Sequence, residues 1–206
     1  MKVDTLVDAL SGIWPMLTIF LVVIVTIRVV YLLQNHEKIV FYKEFMMLVS
    51  VIYVLLLYQL LTSTELNNTS GGLNLVPFTE IMRYKFGSPL FYTNVIGNIL
   101  IFVPLGFFIS KYIKPQKITP IFIVSLVISV TVELVQLNIG RSFDIDDIIL
   151  NIIGAILGFL VYISLNAINK HLPKVLQSDL FYNIICIIII IVAFLYFANN
   201  WKGLMI

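Results

Sequence analysis

Six stretches of mainly apolar residues, each close to twenty long, divide this chain, and no other feature limits its fold so strongly. A helix needs ~20 such residues to cross the hydrocarbon core of a bilayer, where the backbone must satisfy its own hydrogen bonds. The stretches run from about Ile13 to Leu33, Phe45 to Thr62, Tyr92 to Ile113, Ile118 to Leu137, Asp147 to Ile168 and Phe181 to Ala198. With 60% hydrophobic and 12% charged residues, the 206-residue chain cannot cover a water-soluble surface. The expected fold is all-α: a polytopic transmembrane helical bundle of six spans. At the N-terminus, Lys2 stands against Asp4 and Asp8, and the first apolar run is too long for a signal-peptide core, so it reads as a retained helix.

Several partner classes fall away on composition. A formal net charge of +2 with dispersed basic residues does not suit nucleic acid. The single cysteine, Cys186, can form neither an intrachain disulfide nor a cysteine-rich zinc site, and His36 and His171 lack metal-ligand spacing. No metal and no cofactor is expected.

Proline positions fit the spans. Pro15, Pro89 and Pro120 fall in or before expected first turns, where a missing N–H is harmless. Pro104 is mid-helix, removes the bond to the Leu100 carbonyl and is expected to kink the third span near Gly106, with a neighbouring helix satisfying the freed group. Orientation follows from Lys and Arg. Arg28, Lys38, Lys43, Lys111, Lys114, Lys117, Lys170 and Lys174 fall on one side, and Lys2, Arg83, Lys85, Arg141 and Lys202 on the other. The richer side is cytoplasmic by the positive-inside rule, which puts both termini and the loops near Asn74 to Tyr92 and Asn138 to Asp146 outside.

Polar residues interrupt the spans at one membrane face. Charged groups at a helix centre cost about 2.5–3.5 kcal/mol each on insertion scales, so they face a bundle interior and mark function. At ~100° per residue, Asn94 and Asn98 share a face of the third span; Ser125, Ser129, Glu133 and Gln136 form a stripe on the fourth; Asp147, Asn151, Gly154 and Gly158 form one on the fifth. The third span begins, the fourth ends and the fifth begins on the same face, so these groups converge. Glu133 lies roughly 6 Å inside its helix end at 1.5 Å rise per residue and needs a partner. Arg141, the cation of the short connection, suits a bidentate bond to Glu133, Asp144 or Asp147. Such a cluster is either a structural tie or a binding site, and the surplus of acids leaves room for both. Gly154 and Gly158 read as a close helix contact, and Asp146 as a cap for the fifth helix, a role less suited to Asp147, which shares the stripe with Asn151. Asn67 to Gly72 make a turn with a short glycosylation-type sequon, and Asn74-Leu-Val-Pro-Phe can tuck back over the bundle to close a site.

These residues carry a family resemblance. Asn74, Pro77 and Phe78, then Asn94, Gly97, Asn98, Phe102, Pro104 and Gly106, then Ser129, Glu133, Gln136, Arg141, Asp144, Asp147, Asn151, Gly154 and Gly158 resemble the VanZ-like membrane proteins over about Asn74 to Tyr162. The resemblance implies a bacterial plasma-membrane protein, in some members linked to low-level resistance to teicoplanin-type lipoglycopeptides. A housekeeping envelope role fits the same resemblance. The chain then divides into residues 1–73 with two helices and an outer loop, 74–168 as the VanZ-like core, and 169–206 with a basic loop and a last helix.

The favoured reading is a non-enzymatic binding or interaction protein. Its candidate ligand site is Asn74, Asn94, Asn98, Ser129, Glu133, Gln136, Arg141, Asp144, Asp147 and Asn151, at the outer face. Expected partners are membrane lipid and a lipoglycopeptide or lipid-linked glycan of the cell wall, with tails along apolar helix faces and head groups on Arg141 and the asparagines. The main alternative is an enzyme on a lipid-linked substrate, with Glu133 and Asp144 or Asp147 as acid and base. Against it, no nucleophile elbow, HExxH helix or phosphate loop is present. A small transporter ranks last, because no repeat relates the two halves.

Overall fold

A computed structural model describes residues 3–62 and 72–200. The sequon at Asn67 and the terminal cations Lys2 and Lys202 lie outside the described residues. In chain order the elements are α1 (Val3–Gln34), α2 (Phe41–Thr62), β1 (Leu73–Asn74), α3 (Thr79–Arg83), α4 (Pro89–Phe91), a π-helical turn (Tyr92–Ile96), α5 (Gly97–Ile113), α6 (Thr119–Asn138), β2 (Phe143–Asp144), α7 (Ile145–His171) and α8 (Asp179–Asn200). Among the described residues six helical stretches are long and apolar enough to cross a membrane: Trp14–Gln34, Phe41–Leu61, Pro89–Ile113, Thr119–Asn138, Ile145–His171 and Asp179–Tyr196. This is the all-α, six-span architecture expected from the apolar runs.

Local chemistry accounts for the ends of the spans. Ser88 accepts the Phe91 N–H at 3.1 Å and Pro89 occupies the first turn, so the third span starts three residues before the apolar run suggests. Pro120 likewise sits in the first turn of α6. Pro15 departs from expectation: α1 already begins at Val3, so this proline is inside the helix. The end of α6 is a glycine cap. Gly140, at φ 91°, donates to the Leu137 carbonyl, and the next N–H, of Arg141, reaches back to Gln136 at 2.9 Å. That pair of bonds closes the helix through a left-handed residue, which glycine alone adopts without strain.

The chain forms two compact units. The first comprises residues 1–18 and 52–165. Phe102 and Leu105 of α5 pack with Leu57 of α2, and Ile121 of α6 packs with Ala155 and Phe159 of α7. A Cβ on Gly154 would overlap the Ile99 carbonyl, and one on Gly158 would overlap the Val103 carbonyl and the Phe107 backbone nitrogen. The α7 glycines therefore let two backbones touch, as small residues do where lipid gives no hydrophobic drive for association. Pro104 lies inside α5 as expected, and the Tyr53 hydroxyl from α2 donates to the Ile101 carbonyl. A side chain from α2 thus reaches the carbonyl next to the Leu100 group that the proline leaves without its helical donor. A two-residue parallel bridge, Leu73 with Phe143 and Asn74 with Asp144, fastens the segment after α2 to the α6–α7 connection.

The second unit comprises residues 19–51 and 166–206. Arg28 grips Glu44 bidentately, with Nε to Oε2 at 2.8 Å and Nη2 to Oε1 at 2.9 Å. Lys43 pairs with Asp179 at 3.7 Å, the Asn183 side chain accepts the Tyr42 N–H at 2.8 Å, and the Tyr182 hydroxyl donates to Asn169 at 2.6 Å. These polar ties join the chain near both loops of this unit.

Candidate functional site

The polar stripe of α6 is buried along its length: Ser125, Ser129, Glu133 and Gln136 are all at most 3% exposed. Each needs an internal partner, since a buried polar group without one costs about 1–3 kcal/mol. Glu133 finds it in the backbone, accepting the Asp144 N–H at 2.9 Å. Asp144 in turn accepts from the Asp146 N–H at 2.8 Å and from the Asn74 side-chain amide at 3.1 Å. Asp144 is therefore the N-cap of α7, the role expected of Asp146. Burial raises the Asp144 carboxyl above its ordinary value, opposed by the Asp146 N–H and Asn74.

Asp146 turns outward from α7 to a different element. One of its oxygens accepts the Phe78 N–H; the other takes those of Glu80 at 2.8 Å and Ile81 at 3.1 Å. These are the unsatisfied donors at the start of α3, so a carboxylate 1% exposed pins that five-residue helix in place. Phe78 holds a left-handed backbone at φ 67° beside this anchor. No local pattern in the sequence announces this, because donor and acceptor lie far apart along the chain.

The remaining candidates divide by depth. Asn98 donates to Asp147, and Asn151 donates to Ser129 at 2.9 Å, so α7 is tied to α5 and to α6 in successive turns. Gln136 faces α2, donating to the Leu61 carbonyl at 3.2 Å. Asn94 lies in the π-helical turn and donates to Leu90 at 3.0 Å. Four of the ten candidates, Asn94, Arg141, Asp144 and Asp147, line one polar cavity of about 250 Å³. Glu80, Arg83 and Tyr84 of the α3 segment, with Ser142 and Asp146, complete its polar wall. Glu80 holds Arg83 at 3.1 Å and accepts from Tyr84, whose phenol is raised above its ordinary value by burial first and the Glu80 charge second.

Arg141 is the main departure from the expected geometry. It makes no ion pair among the described residues. Backbone N–H groups and asparagine amides have taken the places on Glu133, Asp144 and Asp147 that the guanidinium was expected to fill. Its charge still acts through space on Glu133 and Asp147, and its side chain lines the cavity. The Asn74-to-Phe78 segment also differs: it is tied to Asp144 and Asp146 but contributes no residue to the cavity lining, and Leu75, Val76 and Phe78 are exposed. Among the described residues, no group of three or more His, Cys, Asp or Glu is placed to hold a metal.

A model of the VanZ/LLP1 family matches residues 41–168, which takes in every element of this site. The chain belongs to the VanZ/LLP1 family. It is 31% identical over 130 residues to protein VanZ of Enterococcus faecium, covering 61% of this chain and 73% of that protein. No solved structure matches. The family match begins at residue 41, earlier than the residues quoted from the sequence suggest, and so includes α2 of this VanZ-like chain. Tyr53 and Leu61 show what α2 supplies: a partner for the backbone near Pro104 and an acceptor for Gln136.

Proposed function

We propose that this VanZ-like membrane protein is a non-enzymatic binding protein of the bacterial plasma membrane, whose polar cavity opens at the outer face and receives the head group of an amphiphilic envelope component. The observation that carries this reading is the division of labour among the charges. Glu133, Asp144 and Asp146 hold backbone N–H groups, whereas Arg141 lines the cavity without an ion pair among the described residues. A planar guanidinium with open donors suits a phosphate or carboxylate, and Asn94 adds a neutral polar group beside it. Apolar helix faces beside the cavity suit acyl tails, which is the chemistry of lipid-linked cell-wall glycans and of teicoplanin-type lipoglycopeptides alike.

Tolerance to teicoplanin is the phenotype we infer. Expression in a susceptible bacterial host is expected to raise the inhibitory concentration of teicoplanin, and Arg141→Ala to abolish the increase at equal protein abundance. Unchanged susceptibility with abundant wild-type protein overturns the tolerance reading.

An enzyme on a lipid-linked substrate is the second reading, favoured by one observation: Asp144 and Asp147 line the same cavity. A general acid or base must move a proton, whereas a binding carboxylate need only accept hydrogen bonds. Asp147→Asn is therefore expected to retain part of the phenotype if the cavity binds, and to abolish it at normal abundance if the cavity catalyses.

A further inference from the structure

The segment from residue 75 to residue 90 has two unlike sides. Glu80, Arg83 and Tyr84 line the polar cavity. Leu75, Val76, Phe78, Met82, Phe86 and Leu90 are each at least half exposed, with Met82 and Phe86 above 80%. Contiguous apolar exposure of this kind marks an interaction surface rather than a water-facing loop. What covers it follows from where the segment is fastened. It follows directly on β1, which is bridged to β2 just before the α7 span, and α3 is pinned by Asp146 in the first turn of that span. Its end runs directly into the span that begins at Pro89. Both anchors are ends of membrane helices on one face, so the segment is held at the level where hydrocarbon gives way to head groups.

We propose that residues 75–90 form an interfacial segment that lies in the plane of the membrane, with Met82 and Phe86 inserted among the lipids and the α3 polar side turned to the cavity. Phe86 packs against Phe91 with ring centroids 5.1 Å apart and the rings tilted at 57°, which makes an aromatic wedge at the start of the span. Aromatic rings are favoured at this depth, and short apolar segments bind there by burying side chains below the head groups. Lys85 adds a positive charge one residue before Phe86, complementary to anionic phospholipids. The cavity wall formed by α3 is then at head-group level, so a membrane-borne ligand reaches the site laterally. The proposal concerns the segment's position and holds whatever the cavity binds.

Site-directed spin labels test it. Met82→Cys and Phe86→Cys, each on a Cys186→Ser background, are labelled in the full-length protein and reconstituted in vesicles of phosphatidylethanolamine and phosphatidylglycerol. Neither position belongs to the cavity, and Ser142→Cys serves as an exposed reference. Collision with oxygen, which concentrates in lipid, is expected to exceed collision with a water-soluble nickel chelate several-fold at both positions, with the reverse at residue 142. Free access of the nickel chelate to residues 82 and 86 overturns the proposal. So does exclusion of both reagents with dipolar broadening between labels, which means that a second copy of the chain covers the surface. A variant that aggregates leaves the other position to decide.

Discussion

At the residue scale, four acids near one membrane face do different work because each meets a different donor. Glu133 takes a backbone N–H of the α6–α7 connection, Asp144 takes one from the first turn of α7, Asp147 takes the Asn98 amide, and Asp146 alone reaches across to α3. Hydrogen bonds to a charged acceptor contribute about 1.5–3 kcal/mol each, so the three bonds to Asp146 make it the principal anchor of the 75–90 segment. Asp146→Ala is expected to accelerate hydrogen exchange at the Glu80 and Ile81 amides by at least tenfold while α6 and α7 stay protected. Unchanged exchange at those amides contradicts the anchoring role. Sequence periodicity identifies Glu133, Ser129 and Asn151 as inward-facing, because a helix fixes which residues share a stripe. It places Asp147 on the stripe with Asn151 and Asp146 off it, but it does not reveal the partner of Asp146, because the α3 donors that this carboxylate accepts from lie more than sixty residues away in the chain.

Among the elements, the long helices are legible in the sequence and the short ones are not, for a physical reason. A membrane span must be long and apolar whatever its neighbours do, so all six spans emerge within a few residues of their observed ends. The β1–β2 bridge has two residues per strand, and α3 has five, too few for any hydrophobic period. Their geometry is imposed by Asn74, Asp144 and Asp146, and a third of the cavity wall, Glu80, Ile81, Arg83 and Asp144, comes with them. The α5–α7 contact was legible through Gly154 and Gly158, where spacing alone implies close approach. Gly158→Ala places a methyl group on the Val103 carbonyl and the Phe107 nitrogen. Overpacking of this kind costs about 1–3 kcal/mol. A lower melting temperature in detergent is expected for this variant; melting with the wild type contradicts the close contact.

On the scale of the whole molecule, orientation and ligand decide what the cavity can do. The Lys and Arg distribution implies that the α6–α7 connection is outside and the α5–α6 connection inside. Cysteines at Ser142 and Gln116, again without Cys186, are expected to differ accordingly: an impermeant maleimide labels the first in intact cells and the second only after permeabilisation. The opposite pattern places the cavity on the cytoplasmic side and removes it from extracellular drugs. The central claim is that Arg141, freed from the acids around it, binds an anionic head group rather than holding the fold. Native mass spectrometry of the protein purified gently from a Gram-positive membrane tests this most directly. Wild-type protein is expected to retain an anionic amphiphile that Arg141→Ala loses by tenfold or more, and Arg141→Lys to recover little because a point charge cannot replace the planar fork. The melting temperature of Arg141→Ala is expected to match the wild type, since Arg141 makes no ion pair among the described residues. An unchanged complement of bound amphiphiles in Arg141→Ala, or an unfolded variant, contradicts the claim.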